Sequence, residues 1–127
     1  MKIAATIARY LMGLVFFVFG LNGFLNFIPM KGLPPGVAGQ FLSALIEAHY
    51  VYFVSAIEVA GGALLLVNRY VPLGLTLLGP VIVNIFLFHL LMERSGLPGA
   101  IVIAILWGLI AFRQRQHFSG LFVQRTS

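Results

Sequence analysis

Residues 50–67 read YVYFVSAIEVAGGALLLV, an apolar run of helix length with a single carboxylate, Glu58, near its middle. An ionisable group at the centre of a membrane span costs roughly 2.5 to 3.5 kcal/mol on insertion scales. Such a group therefore faces other helices or a cavity, where it has a partner. The sequence thus predicts that Glu58 points into the protein and meets another polar group there.

The composition of the chain indicates a membrane protein. Of its 127 residues, 61% are hydrophobic and 9% are charged, and the mean hydropathy is +1.04. A soluble domain is about 25% charged, so this chain cannot cover its surface with polar groups and the bilayer must be its solvent. We expect one membrane domain, residues 1–127. The net charge of +5 comes from basic residues that stand singly at the ends of apolar runs, which is typical of membrane topology and not of nucleic-acid binding.

Four apolar runs predict an all-α fold, an antiparallel bundle of four transmembrane helices. The first run is longer than the core of a signal peptide and lacks a small-residue cleavage site, so we interpret it as a retained span. Residues 68–70 and 93–96 form turns too short for anything but hairpins. The predicted spans are residues 10–28, 50–67, 71–92 and 97–112.

The stretch between the first two spans predicts a short helix at the outer membrane surface. Proline and glycine break the chain up to Gly36, and apolar residues then recur at helical spacing, namely Val37, Phe41, Leu45 and Ala48. This pattern favours an interfacial amphipathic helix over residues 37–48. Because no helix breaker separates Ala48 from Tyr50, the sequence leaves open whether the chain bends before the second span.

The distribution of lysine and arginine predicts the orientation. Two basic residues belong to one side of the membrane, Lys31 and Arg94, whereas six belong to the other: Lys2, Arg9, Arg69, Arg113, Arg115 and Arg125. The positive-inside rule places both termini in the cytoplasm of a cell whose inner membrane holds the protein. The basic tail, residues 113–127, is then expected to contact anionic lipids.

Polar residues at similar depth predict a site around Glu58. At 1.5 Å per residue, Glu58 lies about 12 Å from the outer end of its span, and Asn84 lies at the same depth on the next span, where it is in reach of a hydrogen bond to Glu58. Other polar side chains fall somewhat further out. The candidate ligand-binding or proton-handling residues are Glu58, Asn84, His89, Asn22 and Asn26.

This cluster has two interpretations. Polar side chains bridge membrane helices for about 0.6 kcal/mol per hydrogen bond, which is a structural role. Five polar groups at one depth instead favour a wet pocket that handles a proton or holds a polar headgroup. For His89 taken alone, an outer-interface position is the simpler interpretation. Small residues allow close helix contact, and the glycines predicted to serve packing are Gly13, Gly20, Gly61 and Gly62.

Several residues together resemble the DoxX family of small four-helix membrane proteins. They are the sequence Glu58-Val-Ala-Gly61-Gly62 followed by a leucine-rich run and Arg69, together with Arg9 and the phenylalanine-rich segment that ends at Gly20. Family members usually have a lysine three residues after the glycine matching Gly20, where this chain has Gly23. The resemblance implies relatedness to subunits of thiosulfate:quinone oxidoreductase, to membrane partners of redox enzymes, and to a distant branch that assists receptor assembly.

Two functional hypotheses follow. In the first, the protein is an accessory membrane component of a redox system that binds a quinone or another lipophilic ligand near Glu58 and works with a membrane or periplasmic redox partner or as a homo-oligomer. In the second, it is a non-enzymatic assembly, chaperone or scaffold protein. The chain has no cysteine, which excludes thiolate metal sites, and no haem-ligand pair or nucleophile triad. We therefore predict no intrinsic cofactor and no metal site, with quinone as the candidate ligand, and the sequence identifies no catalytic residues and leaves open whether the protein is an enzyme.

Overall fold

A computed structural model describes residues 2–27 and 32–125. Within these ranges it contains five α-helices and two 3₁₀ helices. The α-helices are α1 (Lys2–Leu25), α2 (Gly36–Glu47), α3 (Tyr50–Val67), α4 (Val71–Leu91) and α5 (Leu97–Arg113), and the 3₁₀ helices are Arg94–Gly96 and Arg115–Phe122. The predicted end of the first span at residue 28, Lys31 of the predicted outer loop, and the last two residues of the tail lie outside the described residues.

Four of the helices are long and apolar enough to cross a membrane. They are α1, α3, α4 and α5 together with the 3₁₀ turn before it. Large apolar side chains on α3, α4 and α5 are more than half exposed: Phe53 at 66%, Val83 at 56% and Ile105 at 57%. Such an apolar exterior suits a lipid environment, and the protein is therefore a membrane-embedded, all-helical chain.

The long helices pack in a ring, in which α1 contacts α3 and α5, and α4 contacts the same two helices. The core lies between them and is built from one line of residues along each helix. Its most buried members are Met12, Leu65, Leu75, Leu78 and Ile110. On α4, the buried residues recur at positions 71, 74, 75, 78 and 82, which is one face of a helix. This periodicity fixes which side chains of α4 face the core and which face the lipid.

The first helix begins at Lys2, eight residues before the predicted start of the first span at residue 10. Arg9 suggested a boundary, but the residues before it include alanines, which favour helix, and both Ala5 and Ala8 are buried against the other helices. Helix α1 ends at Leu25 because Asn26 adopts a left-handed conformation with φ of 52°. Its backbone N–H still donates to the carbonyl of Asn22 at 2.9 Å, as a helix-terminating residue does.

The chain bends between α2 and α3, which settles the point that the sequence left open. His49 has φ of 61° in the left-handed region and separates Glu47 at the end of α2 from Tyr50 at the start of α3. The His49 ring stacks on Tyr52 at 5.9 Å between centroids, and Tyr52 stacks on Phe24 of α1 at 5.6 Å. A non-glycine residue in this conformation is uncommon, although histidine adopts it more readily than most.

The basic tail, residues 113–127, is partly helical in its described part. Arg113 belongs to α5, and residues 115–122 form a 3₁₀ helix. Phe118 packs against the core, whereas Leu121 and Phe122 are 72% and 82% exposed. The described part of the tail therefore returns to the helices at one residue and leaves two large apolar side chains free.

Candidate functional site

The packing of α1 on α3 fixes the surroundings of Glu58. A Cβ atom built on Gly62 lies 2.6 Å from the backbone nitrogen of Phe17, and one built on Gly20 lies 2.9 Å from the carbonyl oxygen of Ser55. A Cβ atom on Gly13 lies 3.1 Å from the carbonyl oxygen of Gly62. These distances are too short for a side chain, so the backbones of α1 and α3 touch where glycine permits it.

A second close contact joins α3 to α4. A Cβ atom on Gly61 lies 2.6 Å from Cγ of Leu78, and one on Gly74 lies 3.2 Å from the carbonyl oxygen of Gly61. Gly61 and Gly62 thus face different neighbours, α4 and α1 respectively. The position between these two contacts points into the middle of the ring of helices.

Glu58 occupies that position. Residues 58, 61, 62 and 65 lie on one side of α3 because they are three or four apart, and the other three are buried, whereas Glu58 is partly exposed. Among the described residues, none makes a hydrogen bond or an ion pair with its carboxyl group. The inward direction is the predicted one, but the described chain supplies no partner.

Asn84 does not meet Glu58, and the predicted hydrogen bond between them is absent. The Asn84 side-chain amide is exposed and donates to the carbonyl of Pro80 at 2.8 Å, one turn back on its own helix. Asn84 lies two residues after the buried Ile82, about 200° around α4, and so faces away from the core. Counting residues did not predict the direction of the Asn84 side chain.

His89 lies in the last turn of α4, beside the turn that joins α4 to α5. Its Nδ1 donates to the carbonyl of Glu93 at 3.0 Å, and its ring stands edge-on to Phe88 at 5.1 Å. The ring also covers Gly96, where it occupies the space of an added Cβ atom. His89 therefore stabilises the turn at the end of α4, whereas Glu58 lies near the middle of α3.

The two asparagines of α1 have different positions. Asn26 is exposed, follows the last helical residue and terminates the helix through its left-handed backbone. Asn22 is partly buried and has a polar partner. Of the five predicted site residues, Glu58 alone belongs to the side of its helix that lines the core between α1 and α4, so the described structure does not bring the five together.

Position 23, where DoxX proteins usually have a lysine, has no room for a side chain in this structure. Gly23 faces α3, and a Cβ atom there meets Oγ of Ser55, a side chain that is only 2% exposed. A lysine at position 23 requires Ser55 to move. Close contact with Ser55 explains why a side chain at this position does not fit this chain.

Two interhelical hydrogen bonds were not predicted from the sequence. The indole Nε1 of Trp107 on α5 donates to the carbonyl of Leu75 on α4 at 3.0 Å. The guanidinium of Arg9 on α1 donates to the carbonyl of Leu65 near the end of α3. Both acceptors are backbone atoms, which carry no signal in a side-chain pattern, although a lone tryptophan in an apolar span is itself a signal because its N–H needs a partner.

Glu58 does not line either of two recesses that the described residues form. One, of about 270 Å³, is apolar and lies on α4 and α5 at Ile82, Val83, Phe86, Leu87 and Ala104. The other, of about 180 Å³, is polar and lies where α1 starts and where α3 and α5 end. The predicted wet pocket around Glu58 therefore stays a prediction.

Comparison with protein-family models, with curated proteins and with solved structures finds no match for this chain. The resemblance to the DoxX family accordingly rests on the residues already quoted, from Arg9 to Arg69. Those residues occupy distinct places in the fold: Glu58 points inward, Gly61 and Gly62 lie where α3 closely contacts α4 and α1, and Arg9 binds the end of α3.

Proposed function

We propose that this protein is an accessory membrane component of a redox system, in which Glu58 interacts with a ligand from outside the chain. The observation that supports it is a carboxyl group inside a membrane helix that no described residue satisfies. A lone carboxyl at this depth is costly, and such groups usually serve a substrate, ion or proton route. The resemblance to DoxX proteins suggests a quinone or a similar lipophilic carrier as the ligand.

In this proposal the chain forms an antiparallel bundle in the inner membrane. The contacts run in opposite senses along neighbouring helices, since Gly61 and Leu64 on α3 meet Leu78 and Gly74 on α4 in that order. Both termini are cytoplasmic, and α2 lies at the outer surface with Val37 61% and Phe41 37% exposed to the interface. A redox enzyme supplies the electrons, because this polypeptide has no group to carry them.

Labelling of introduced cysteines tests this topology, since the natural chain has none. A cysteine at Gly32 should react with an impermeant maleimide added outside intact cells, and one at Gln116 should react only after the membrane is opened. The reverse pattern refutes the orientation.

Quinone content tests the ligand. The protein should copurify from native membranes with near-stoichiometric quinone, and Glu58→Gln should lower the amount because the amide keeps the size of the carboxyl but loses its charge and proton chemistry. Asn84→Leu is the matched control, since Asn84 is exposed, faces away from the core and bonds only its own helix. Equal quinone in wild type and Glu58→Gln excludes a role for the carboxyl in binding it.

A second candidate, a non-enzymatic scaffold, is favoured by one observation. The polar groups other than Glu58 are satisfied locally or at helix ends, as they are in a purely structural network. In that case Glu58→Leu leaves the folded state as stable as before, because an unpaired buried polar group contributes no favourable bond to lose. Copurification of an unrelated membrane client without quinone then distinguishes the scaffold from the redox component.

A further inference from the structure

Positively charged side chains line the polar recess at the start of α1. Its volume is about 180 Å³, and it is lined by Lys2, Ala5, Thr6, Arg9, Asn68, Ile110, Arg113 and Gln114. Three of these side chains are cationic, two are amides and none is acidic. The recess thus brings together residues from three helices that are far apart in the sequence.

Among the described residues, no side-chain carboxylate lines the recess beside its three cations. The chain has three acidic residues, and they lie at the end of α2, in the middle of α3 and in the turn after α4: Glu47, Glu58 and Glu93. Among the described residues, neither Lys2 nor Arg113 has a hydrogen-bonding or ionic partner for its side chain. The three cations are therefore available to an anion from outside the chain.

The helix ends around the recess do not cancel its charge. The carbonyl ends of α3 and α5 each contribute about half a negative charge, and the start of α1 contributes about half a positive one. Together with the three cationic side chains, these partial charges leave a net positive charge of more than about two. Arg9 uses one hydrogen-bond donor on the Leu65 carbonyl, and a guanidinium has four others to offer.

The size of the recess selects the kind of anion. Sites for drug-sized ligands begin at about 300 Å³, so the recess is too small for a nucleotide or a whole lipid. A phosphate group is compact, and arginine matches its oxygen atoms with two parallel hydrogen bonds. Lysine and the amides of Asn68 and Gln114 supply further donors.

We propose that this recess binds one phosphate group, held by Lys2, Arg9 and Arg113, with Asn68 and Gln114 as additional donors. The phosphate is that of an anionic lipid headgroup or of a free phosphate ion. This inference is independent of the redox proposal, because the recess lies at the opposite end of α3 from Tyr50 and does not include Glu58. It also separates Arg113 from the other tail arginines, since Arg115 binds the carbonyl of Phe112 at 2.9 Å outside the recess.

Native mass spectrometry of the protein from nanodiscs of mixed phosphatidylcholine and phosphatidylglycerol tests the lipid source. The variant carries Lys2→Gln and Arg113→Gln, two exposed positions whose replacement leaves the core intact. Phosphatidylglycerol affinity should fall roughly 30-fold, the equivalent of about 1 kcal/mol for each of two cations. The control carries Arg115→Gln and Arg125→Gln, removes the same charge, and should change the affinity less than threefold.

Calorimetric titration of lipid-free protein in neutral detergent with inorganic phosphate tests the second source. Binding of phosphate that the Lys2→Gln, Arg113→Gln variant loses assigns the site to the free ion, and binding of phosphatidylglycerol alone assigns it to a lipid headgroup. Arg9→Lys, which keeps the charge but not the paired donors, should weaken whichever ligand binds. The proposal is overturned if the variant and the control bind both ligands as the wild type does, or if they lose affinity equally.

Discussion

The close backbone contact between α3 and α1 at Gly62 predicts a strong effect of one added methyl group. In Gly62→Ala the new Cβ atom would lie 2.6 Å from the nitrogen of Phe17, 2.8 Å from the oxygen of Gly13 and 3.1 Å from the Cα of Phe17. All three atoms belong to the backbone of α1, so no side chain can rotate away and the two helices must separate. Overpacking of this kind costs about 1 to 3 kcal/mol, and alanine regains up to about 1 kcal/mol of helix propensity.

We therefore expect Gly62→Ala to destabilise the fold by about 1 to 2 kcal/mol. The matched control is Gly108→Ala on α5, where an added Cβ atom meets nothing within 4 Å; it should be neutral or stabilising. Reversible unfolding in mixed micelles of increasing dodecyl sulfate content measures both, with circular dichroism and the fluorescence of Trp107, the only tryptophan, as probes. Equal stability of the two variants would refute the assignment of α1 and α3 as directly touching helices.

Three further changes can be measured in the same unfolding assay. Trp107→Phe should cost about 0.6 kcal/mol, because it removes the 3.0 Å hydrogen bond to the Leu75 carbonyl; no loss would show that the indole is unbound in the membrane. Asn26→Gly should be neutral and Asn26→Val should cost about 1 to 2 kcal/mol, since φ of 52° suits glycine and not a branched residue; equal effects would argue against the left-handed end of α1. Asn84→Leu should change stability by less than about 0.5 kcal/mol, because the Asn84 amide bonds only its own helix. A large loss of stability would indicate that Asn84 contacts another helix.

The helices were predictable from the sequence because their cause is local. Apolar runs broken by short turns define α3, α4 and α5, and the bounds of these helices in the structure lie within a residue of the predicted ones. The start of α1 was missed because Arg9 was taken as a membrane boundary, whereas its guanidinium reaches a carbonyl of α3. A long cationic side chain can lie along an apolar helix and place its charge elsewhere.

The candidate site was less predictable because it depends on direction as well as depth. Counting residues places Asn84 level with Glu58, but the buried line through Leu78 and Ile82 turns Asn84 to the other side of α4. The bend at His49 was equally hidden, since it depends on a left-handed histidine that no pattern announces. Contacts to backbone carbonyls, such as that of Trp107, depend on how the helices are arranged and become visible only in the fold.

The carbonyl stretching band of the Glu58 carboxyl tests the central proposal most directly. Infrared difference spectra of the protein in liposomes, recorded with and without added quinone, report on hydrogen bonding at this group, and Glu58→Gln identifies its band. We expect quinone to shift the Glu58 band and expect the shift to vanish in Glu58→Gln while persisting in Asn84→Leu. A Glu58 band that is identical with and without quinone would contradict the proposal that this carboxyl serves a ligand from outside the chain.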